Sequence, residues 1–388
     1  MRTRARFLST TLLSGLVLAV FSPMWSDAAP ASQDDREASG RGHKRVEGGQ
    51  VRPEWRLGAP VSSGNLTIFP VTSDDWPSTG GFITLDEGLK SGGVTITELG
   101  GSRLVRHRGQ SDNAEVNTLA LTNKSGKTLI LLAGELLVGG KQDRIVDHDR
   151  LVPSDDAPIA LGVFCVEHGR WQGSTAAFGH NQTAVRPPGG ARNFMGGSGG
   201  GGAGAGGPLG GQIANPAVRA KAEAKKSQSE VWSQVSETTE VVKATSASGA
   251  LTRAYQDGKV AMRTGPYIRD LKDKCAGKNV VGVVVAVNGE PVNSDIFASP
   301  SLFRRYWPKL LESYALEAIS AGKPVRQGVD RLDAQSFLSR VEGNISSEGE
   351  DGVYRLTEHK SASESSFELE YIAAAAPLLV HFNRIATR

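Results

Sequence analysis

The sequence predicts an α+β protein with a β-rich antiparallel core, arranged as a sandwich or a barrel. Short runs rich in branched apolar residues recur between Leu66 and Val166, and polar turn segments such as 122–126 separate them. Two longer stretches, after Asn215 and after Ser299, carry apolar residues at helical spacing instead. We therefore expect two long helices packed on an antiparallel sheet.

The strands of the first half are short and bounded by turn formers. The candidates are 94–98, 103–107, 116–121, 129–132 and 159–166. The first of them alternates apolar and polar residues, as a strand with one buried face does, and the last is almost entirely apolar. This spacing of short strands is typical of antiparallel architecture.

The second half opens with a predicted helix. Asn215 is a good helix cap and Pro216 suits the first helical position, and a continuous apolar face follows as far as Val242. Gln228 and Trp232 on this helix lie within reach of the polar residues described below, although a Trp beside an apolar face is more often part of the core.

A buried strand and a hairpin come next in the chain. Residues 280–287 are nearly all branched and apolar, and Asn288-Gly289 is a strong signal for a two-residue hairpin. The second long helix begins at Ser299-Pro300 and ends near Gly322. A short helix at 334–341 and strands at 354–359, 367–374 and 378–382 are expected to complete the domain.

Composition divides the chain into five segments. Arg2, Arg4 and Arg6 precede an apolar run that is too short and too polar for a membrane span, so residues 1–31 are predicted to be a signal peptide. A disordered leader at 32–56 follows. The β-rich core spans 57–186, and 212–388 completes the same domain. Between them, 187–211 contains 13 Gly residues among 25 and is expected to be a flexible insertion.

Charge argues against nucleic acid as a partner. The chain has 44 Lys and Arg against 41 Asp and Glu, and without residues 1–31 these fall to 41 and 40. A nearly neutral chain lacks the positive field that nucleic-acid-binding proteins use. We expect an exported protein, periplasmic or extracellular, with no stable membrane span after cleavage, and the sequence leaves its oligomeric state open.

Polar residues gather where two apolar runs end, and these are the candidate site. The runs 129–132 and 159–166 are followed by Gly139-Gly140 and by Gly169 respectively, and glycine allows sharp turns there. If the runs are neighbouring strands, both sets of polar side chains lie at one sheet end. The candidate ligand-binding residues are Lys141, Gln142, Asp143, Arg144, Glu167, Arg170 and Trp171, and Glu135 joins Glu167 as a candidate general base.

Two interpretations of these residues stay open. In the first, Arg144 and Arg170 offer planar guanidinium groups to a carboxylate or phosphate, with Glu167 and Glu135 as acceptors or proton carriers. In the second, the same charges form an internal salt-bridge network that fastens two loops. The second predicts that at least one arginine pairs with Glu167 or Glu135 and that Lys141 and Gln142 are the more exposed members.

Several stretches resemble a known bacterial family, the ARG and rhodanese-phosphatase-superfamily-associated protein domain. The resemblance rests on GELLVGGKQDR, FCVEHGRW, SEVWSQV and GVVVAVNGEPVNSDIFASPSLFRRYWPKLLESYALEA, and covers roughly 64–321 with a final strand near 379–382. Where the family pattern has Gln-Asn-Arg and Glu-Gln-Gly, this chain has Asp143 and His168 at the central positions. The family's association with ADP-ribosylglycohydrolases suggests ADP-ribose-like or nucleotide-derived ligands, and it implies no mechanism.

Two classes of function follow, and the sequence leaves open whether the chain is an enzyme. The favoured class is a non-catalytic binding or scaffold module for a small anionic ligand or a partner protein. The alternative is a hydrolase or transferase that uses Glu167 or Glu135 as general base. No His pair has metal-ligand spacing, so we expect no metal and no cofactor. Cys165 and Cys275 are expected to stay unpaired, because the first reads as buried and the second lies in a polar segment.

Overall fold

The structure is a computed structural model that describes residues 54–99, 117–168, 178–179, 211–244, 246, 248–275, 277–322 and 328–387. The predicted signal peptide, most of the predicted leader, the strand expected at 103–107 and nearly all of the predicted glycine-rich insertion lie outside these residues. Within them the chain is α+β, and its β-rich antiparallel core includes a nearly closed, barrel-like sheet.

Eighteen strands occur in the described residues. In chain order they are β1 (Arg56–Leu57), β2 (Val61–Ser63), β3 (Leu66–Thr72), β4 (Phe82–Thr84), β5 (Val94–Glu98), β6 (Thr118–Asn123), β7 (Thr128–Leu131), β8 (Leu136–Gly139), β9 (Arg144–Val146), β10 (Arg150–Val152), β11 (Asp155–Cys165), β12 (Phe178–Gly179), β13 (Val280–Val287), β14 (Glu290–Phe297), β15 (Asn344–Glu350), β16 (Tyr354–Lys360), β17 (Glu364–Tyr371) and β18 (Leu378–Ala386).

The strands form three sheets. A nine-stranded sheet has the order β1-β3-β13-β14-β18-β17-β16-β15, with β2 also paired to β3. A six-stranded sheet has the order β12-β8-β9-β11-β6-β5, and a three-stranded sheet has the order β10-β7-β4. All pairs are antiparallel except β4 with β7. The two apolar runs that precede the candidate site, β7 and β11, therefore belong to different sheets, and β9 is the hydrogen-bonded neighbour of β11.

The helices of the described chain are α1 (Leu85–Ser91), α2 (Pro216–Arg219), a π-helix (Ala220–Ala224), α3 (Gln228–Val242), α4 (Thr252–Gln256), α5 (Gly258–Leu271), α6 (Pro300–Ser320) and α7 (Arg331–Ser336). The sequence predicts α6 well. Its Ser299 cap accepts a hydrogen bond from the Leu302 main-chain N–H at 3.2 Å, and Pro300 occupies the first turn.

The continuous helix predicted after Asn215 is wrong in detail. The chain instead forms α2, the π-helix and α3, and Lys226 turns the backbone with a φ of 53° before α3 begins. Ser227 then caps α3, because its hydroxyl accepts from the Glu230 main-chain N–H. Apolar residues continue at helical spacing on both sides of Lys226, so the sequence pattern alone does not show that the helix is interrupted there. The helix α5 also adds a third substantial helix to the two that the sequence predicts.

The nine-stranded sheet is organised around β13 and β14. Every residue of β13 is buried, as expected for a strand covered on both faces. The hairpin after it is the predicted one, since Asn288 and Gly289 both have positive φ, at 54° and 84°. Helix α6 packs against β13 and contributes the buried residues Tyr306, Leu310 and Tyr314 to the largest apolar cluster of the core.

No helix in the described ranges is both long enough and apolar enough to cross a membrane.

Candidate functional site

The turn between β8 and β9 requires its two glycines. Gly139 and Gly140 have φ values of 126° and 57°, which non-glycine residues rarely adopt. A Cβ atom on Gly140 would lie 2.3 Å from Phe178 Cζ and 2.6 Å from Glu98 Oε1. Glu98 Oε1 also accepts a hydrogen bond from the Lys141 main-chain N–H at 2.8 Å, so the turn is fixed while the Lys141 side chain is exposed.

The polar residues after Lys141 are buried and hold one another in place. We call Gln142, Asp143, Arg144, Glu167 and Thr252 the loop cluster, and none of them is more than 4% exposed. Several of its side chains bond to main-chain groups. Gln142 Nε2 donates to the Glu167 carbonyl at 2.8 Å, and Glu167 Oε2 accepts from the Asp143 N–H at 3.1 Å.

Asp143 ties this cluster to a helix that is distant in sequence. Its Oδ1 accepts from the Gly139 N–H at 3.1 Å, and its Oδ2 accepts from the Thr252 hydroxyl at 2.7 Å. The Asp143 carbonyl accepts from the Val166 N–H at 3.0 Å. The loop cluster thus joins the β8–β9 turn to the end of β11 and to α4.

Arg144 is a buried part of this support, with an exposed fraction of 1%. It lies directly opposite Cys165 in the β9–β11 ladder. Burial raises the pKa of the Cys165 thiol and the nearby Arg144 charge opposes that rise only in part, so this thiol is a poor nucleophile. The other predicted arginine, Arg170, and Trp171 lie outside the described residues.

The sequence predicts that Lys141 and Gln142 are the more exposed residues of the site, and this holds for only one of them. Lys141 is exposed, as expected, but Gln142 is only 2% exposed, so that part of the expectation is wrong. Its amide is buried because it bonds the Glu167 carbonyl. Gln228 does reach this region: its amide makes two hydrogen bonds with the Cys165 main chain, at 2.8 and 2.9 Å. Trp232 packs edge-on against the His168 ring, with centroids 4.7 Å apart.

Glu135, the second candidate base, belongs to a different cluster. It is 1% exposed and pairs with the Lys309 ammonium of α6. Lys309 also lies 3.0 Å from Asp86 Oδ2, and Glu135 Oε2 accepts from the Leu132 N–H at 2.9 Å. Burial raises the pKa of Glu135, although Lys309 opposes the change. Burial alone would lower the pKa of Lys309, but Asp86 and Glu135 raise it.

A third cluster, which the sequence does not predict, lies between β14, β18 and α6. We call Asp149, Arg219, Asp295, Tyr314 and His381 the core cluster, and each is 0% exposed. Arg219 makes two parallel hydrogen bonds to Asp295, both 3.0 Å long. The Tyr314 hydroxyl donates to Asp295 as well.

His381 bridges the two aspartates of the core cluster. Its Nδ1 lies 2.5 Å from Asp149 Oδ2 and its Nε2 lies 3.1 Å from Asp295 Oδ1. Burial acts to lower the pKa of His381, but Asp149 and Asp295 outweigh it and raise the pKa to about 9. Burial acts to raise the pKa of Asp295, but Arg219 and His381 bring it far below its usual range. Near neutral pH Asp295 is therefore ionised and His381 is charged.

A tight turn from Leu132 to Glu135 connects the two buried ionic clusters. The Ala133 N–H donates to Asp149 Oδ1 at 2.8 Å, one residue after Leu132 donates to Glu135. Gly134 between them has a φ of 84°, and a Cβ there would lie 2.6 Å from Arg219 Cγ. The motif Gly134-Glu135 therefore needs glycine for the close approach of Arg219, and glutamate for Lys309.

The core cluster left a weak signal in the sequence. His381 interrupts the apolar strand segment 378–382, and Asp295 directly precedes the apolar pair Ile296-Phe297. Charged residues are almost never fully buried unless they are paired. Arg219 lies 76 residues from Asp295, and Asp149 lies 232 residues from His381. The sequence therefore marks Asp295 and His381 as unusual but does not show which residues they pair with.

The described part of the chain contains neither a metal-ligand group nor a disulfide. In the described part of the chain no three His, Cys, Asp or Glu side chains are grouped so as to hold a metal ion. Cys165 and Cys275 are free, which agrees with the expectation. The predicted burial of Cys165 is confirmed, whereas the predicted contrast with Cys275 is wrong, because both are 1% exposed. The buried carboxylates and cations of the three clusters bond to other groups of the chain.

Comparison with known proteins gives a family and no solved relative. The family model described as the ARG and Rhodanese-Phosphatase-superfamily-associated Protein domain matches residues 54–195 and 207–381. No curated protein and no solved structure matches the chain significantly. The matched ranges include the loop cluster, the Gly134-Glu135 turn and every residue of the core cluster. The chain belongs to the ARG and rhodanese-phosphatase-superfamily-associated protein domain family.

Proposed function

We propose that the chain is an exported, non-catalytic binding or scaffold module that holds a small anionic ligand or a partner protein beside the β8–β9 turn. One observation carries the proposal. Both candidate general bases, Glu135 and Glu167, are buried, at 1% and 4% exposure, and each accepts a hydrogen bond from the main chain. A general base must reach the proton that it removes, and these carboxylates are engaged in supporting the fold.

The surface beside the loop cluster supports an anionic ligand. Lys141 presents an exposed ammonium on a turn whose backbone is fixed by Glu98 and by two positive-φ glycines. Because the backbone of the turn is already fixed, ligand binding would cost less conformational entropy. Arg170 and Trp171 follow Glu167 closely in the chain, and we include them in the proposed surface on the sequence alone. Export rests likewise on residues 1–31 alone.

A ligand screen by thermal unfolding tests the proposal. Nucleotides, ADP-ribose and sugar acids would be compared with the unliganded chain, and we expect at least one anion to raise Tm in a saturable way. Lys141→Ala should abolish that rise while leaving the Tm of the free chain unchanged. Lys127→Ala, at another exposed lysine that precedes β7, is the matched control and should keep the rise.

Activity measurements separate this proposal from the hydrolase or transferase alternative. Each anion that binds would be incubated with the chain, and products would be followed by chromatography. We expect no turnover. Turnover that Glu135→Gln or Glu167→Gln abolishes, in variants that still bind the ligand, would replace the binding module with the enzyme.

A further inference from the structure

Three buried side-chain oxygens beside the core cluster accept no hydrogen bond from the described part of the chain. They are Glu223 Oε1, Asn293 Oδ1 and Asn383 Oδ1, and all three residues are 0% exposed. A buried acceptor without a partner costs about 1–3 kcal/mol. Three such oxygens in one region indicate a bound group that supplies positive charge or donors.

The fold brings these residues to one face of the sheet. Asn383 pairs with Asp295 in the β14–β18 ladder, and Asn293 lies two residues from Asp295, on the same side of β14. Asn293 Nδ2 donates to Asp295 Oδ2 at 2.5 Å. Asn383 Nδ2 donates to Glu223 Oε2 at 3.0 Å. Both amides therefore use their nitrogen on a carboxylate and leave their oxygen available.

Glu223 reaches this face through the π-helix. The Lys225 N–H bonds to the Ala220 carbonyl at 3.2 Å, which is the wide turn of that helix type. Arg219 and Glu223 are four residues apart and both point to the core cluster, where Arg219 bonds Asp295. Single π-turns of this kind are frequent at functional sites.

The charges around Glu223 do not balance if it is ionised. The groups that face it are Asp149, Asp295, Arg219 and His381. With Glu223 they make three acids against two cations, an excess of one negative charge in an enclosed place. Lys226 also lies near but pairs with Glu348 and Glu358 at 3.3 and 3.7 Å. Burial raises the pKa of Glu223 strongly, and Asp149 adds to the rise.

We propose that Glu223, Asn293 and Asn383 form a site for one small monovalent cation, Na⁺ or K⁺, which exchanges with the proton of Glu223. Carboxylate and amide oxygens are the donors that hard cations prefer. One positive charge balances the excess, whereas a divalent ion would reverse it. Binding converts the carboxylic acid to the carboxylate, the proton leaves to solvent, and the amide oxygens stay neutral.

Thermal unfolding in different salts tests the site. The whole chain would be unfolded in NaCl, KCl and choline chloride at equal ionic strength, at pH 6 and at pH 8. We expect Na⁺ or K⁺ to raise Tm above the choline value with saturation, and to do so more at pH 8, because fewer protons compete. Equal Tm in all three salts at both pH values would overturn the proposal.

Two variants locate the effect. Glu223→Gln keeps the shape and removes the charge, so the difference between the salts should disappear. Glu317→Gln is the matched control, because that carboxylate also accepts from an asparagine amide, Asn215 Nδ2 at 2.6 Å, and the difference should persist. A Glu223→Gln protein that keeps the full response contradicts the assignment.

Anomalous scattering from crystals of the unaltered chain in Rb⁺ or Tl⁺ gives a result that does not depend on whether a variant folds. We expect a peak among the three oxygens. A site that contains only water, with no anomalous signal, would show that the oxygens are solvated and that no cation binds there.

Discussion

The loop cluster and the core cluster are both buried, but they are held together by different bonds. In the loop cluster, Gln142, Asp143 and Glu167 each bond a main-chain group of a nearby turn or strand end. In the core cluster, Arg219, Asp295 and His381 bond one another through their side chains. The first fixes the path of two loops, and the second neutralises charges that the fold has removed from water.

This difference governs what each cluster tolerates. A side chain that satisfies a main-chain N–H leaves a neutral group unpaired when it is lost, at a cost of about 1–3 kcal/mol. A side chain that neutralises a buried charge leaves an ion unpaired, and breaking such a pair costs about 3–5 kcal/mol. We therefore expect single substitutions to cost more in the core cluster.

The largest effect is expected at Asp295, which accepts hydrogen bonds from both Arg219 and His381. Asp295→Asn keeps the shape but removes the charge between two cations. We expect the free energy of unfolding to fall by about 3–5 kcal/mol, measured by urea denaturation at pH 7. Asp74→Asn removes an aspartate whose side chain is 60% exposed and paired with Arg56, and it should change stability by at most about 1 kcal/mol. Equal losses in the two variants would contradict the comparison.

The next effect is a loss of stability in alkaline solution. His381 has a folded-state pKa of about 9 against an ordinary value of 6.5, so its contribution is complete below pH 6.5 and is lost as pH rises through about 9. The difference corresponds to the order of 3 kcal/mol. Glu135 and Glu223, whose pKa values are raised, change stability in the same direction. Denaturation from pH 6 to 10 measures the loss.

His359 offers the control for that titration. Burial lowers its pKa, so replacing it with Gln should leave the alkaline loss intact. The ring signals of His381, followed by NMR, should titrate near pH 9. A His381 ring that titrates near its ordinary value, or a stability profile that is flat from pH 7 to 10, would show that the ring is not held between Asp149 and Asp295.

A smaller effect is expected in the loop cluster at Thr252, whose hydroxyl donates to Asp143 Oδ2 at 2.7 Å. Thr252→Val removes that donor with little change in volume, and hydrogen bonds to charged groups contribute about 1.5–3 kcal/mol. We expect the free energy of unfolding to fall by an amount near the lower end of this range, because Asp143 still accepts a hydrogen bond from the Gly139 N–H. Thr252→Ser should restore most of it. A valine variant as stable as the parent would show that the hydrogen bond from α4 does not stabilise the loop cluster.

The local parts of this molecule could be predicted from sequence. Asn288-Gly289 encodes a hairpin, Ser299-Pro300 encodes a helix start, and the glycine pair before Lys141 encodes a turn, because each depends on backbone preferences of adjacent residues. The α+β class followed from the alternation of strand and helix patterns. The break at Lys226 was missed because the apolar period continues across it.

The candidate site was predicted only in its local part. Gln142, Asp143, Arg144 and Glu167 do lie together, since their two segments meet in the β9–β11 ladder. Glu135 was grouped with them on sequence proximity, yet it pairs with Lys309, 174 residues away. The core cluster joins α2, α6, β14, β18 and the β9–β10 loop, and no single sequence reveals that these segments meet. Strand order decides which buried charges meet, and this order is not encoded in local sequence patterns.

We expect the loop cluster to support the fold and Lys141 to be the residue that it presents to a ligand. Urea denaturation of Arg144→Ala beside Lys141→Ala tests it most directly. We predict a loss of about 1–3 kcal/mol for Arg144→Ala, because this residue is 1% exposed and lies inside the packed loops. Exposed Lys141→Ala should change the free energy of unfolding by no more than about 0.5 kcal/mol. An Arg144→Ala protein as stable as the parent, with its response to the bound anion lost, would contradict it.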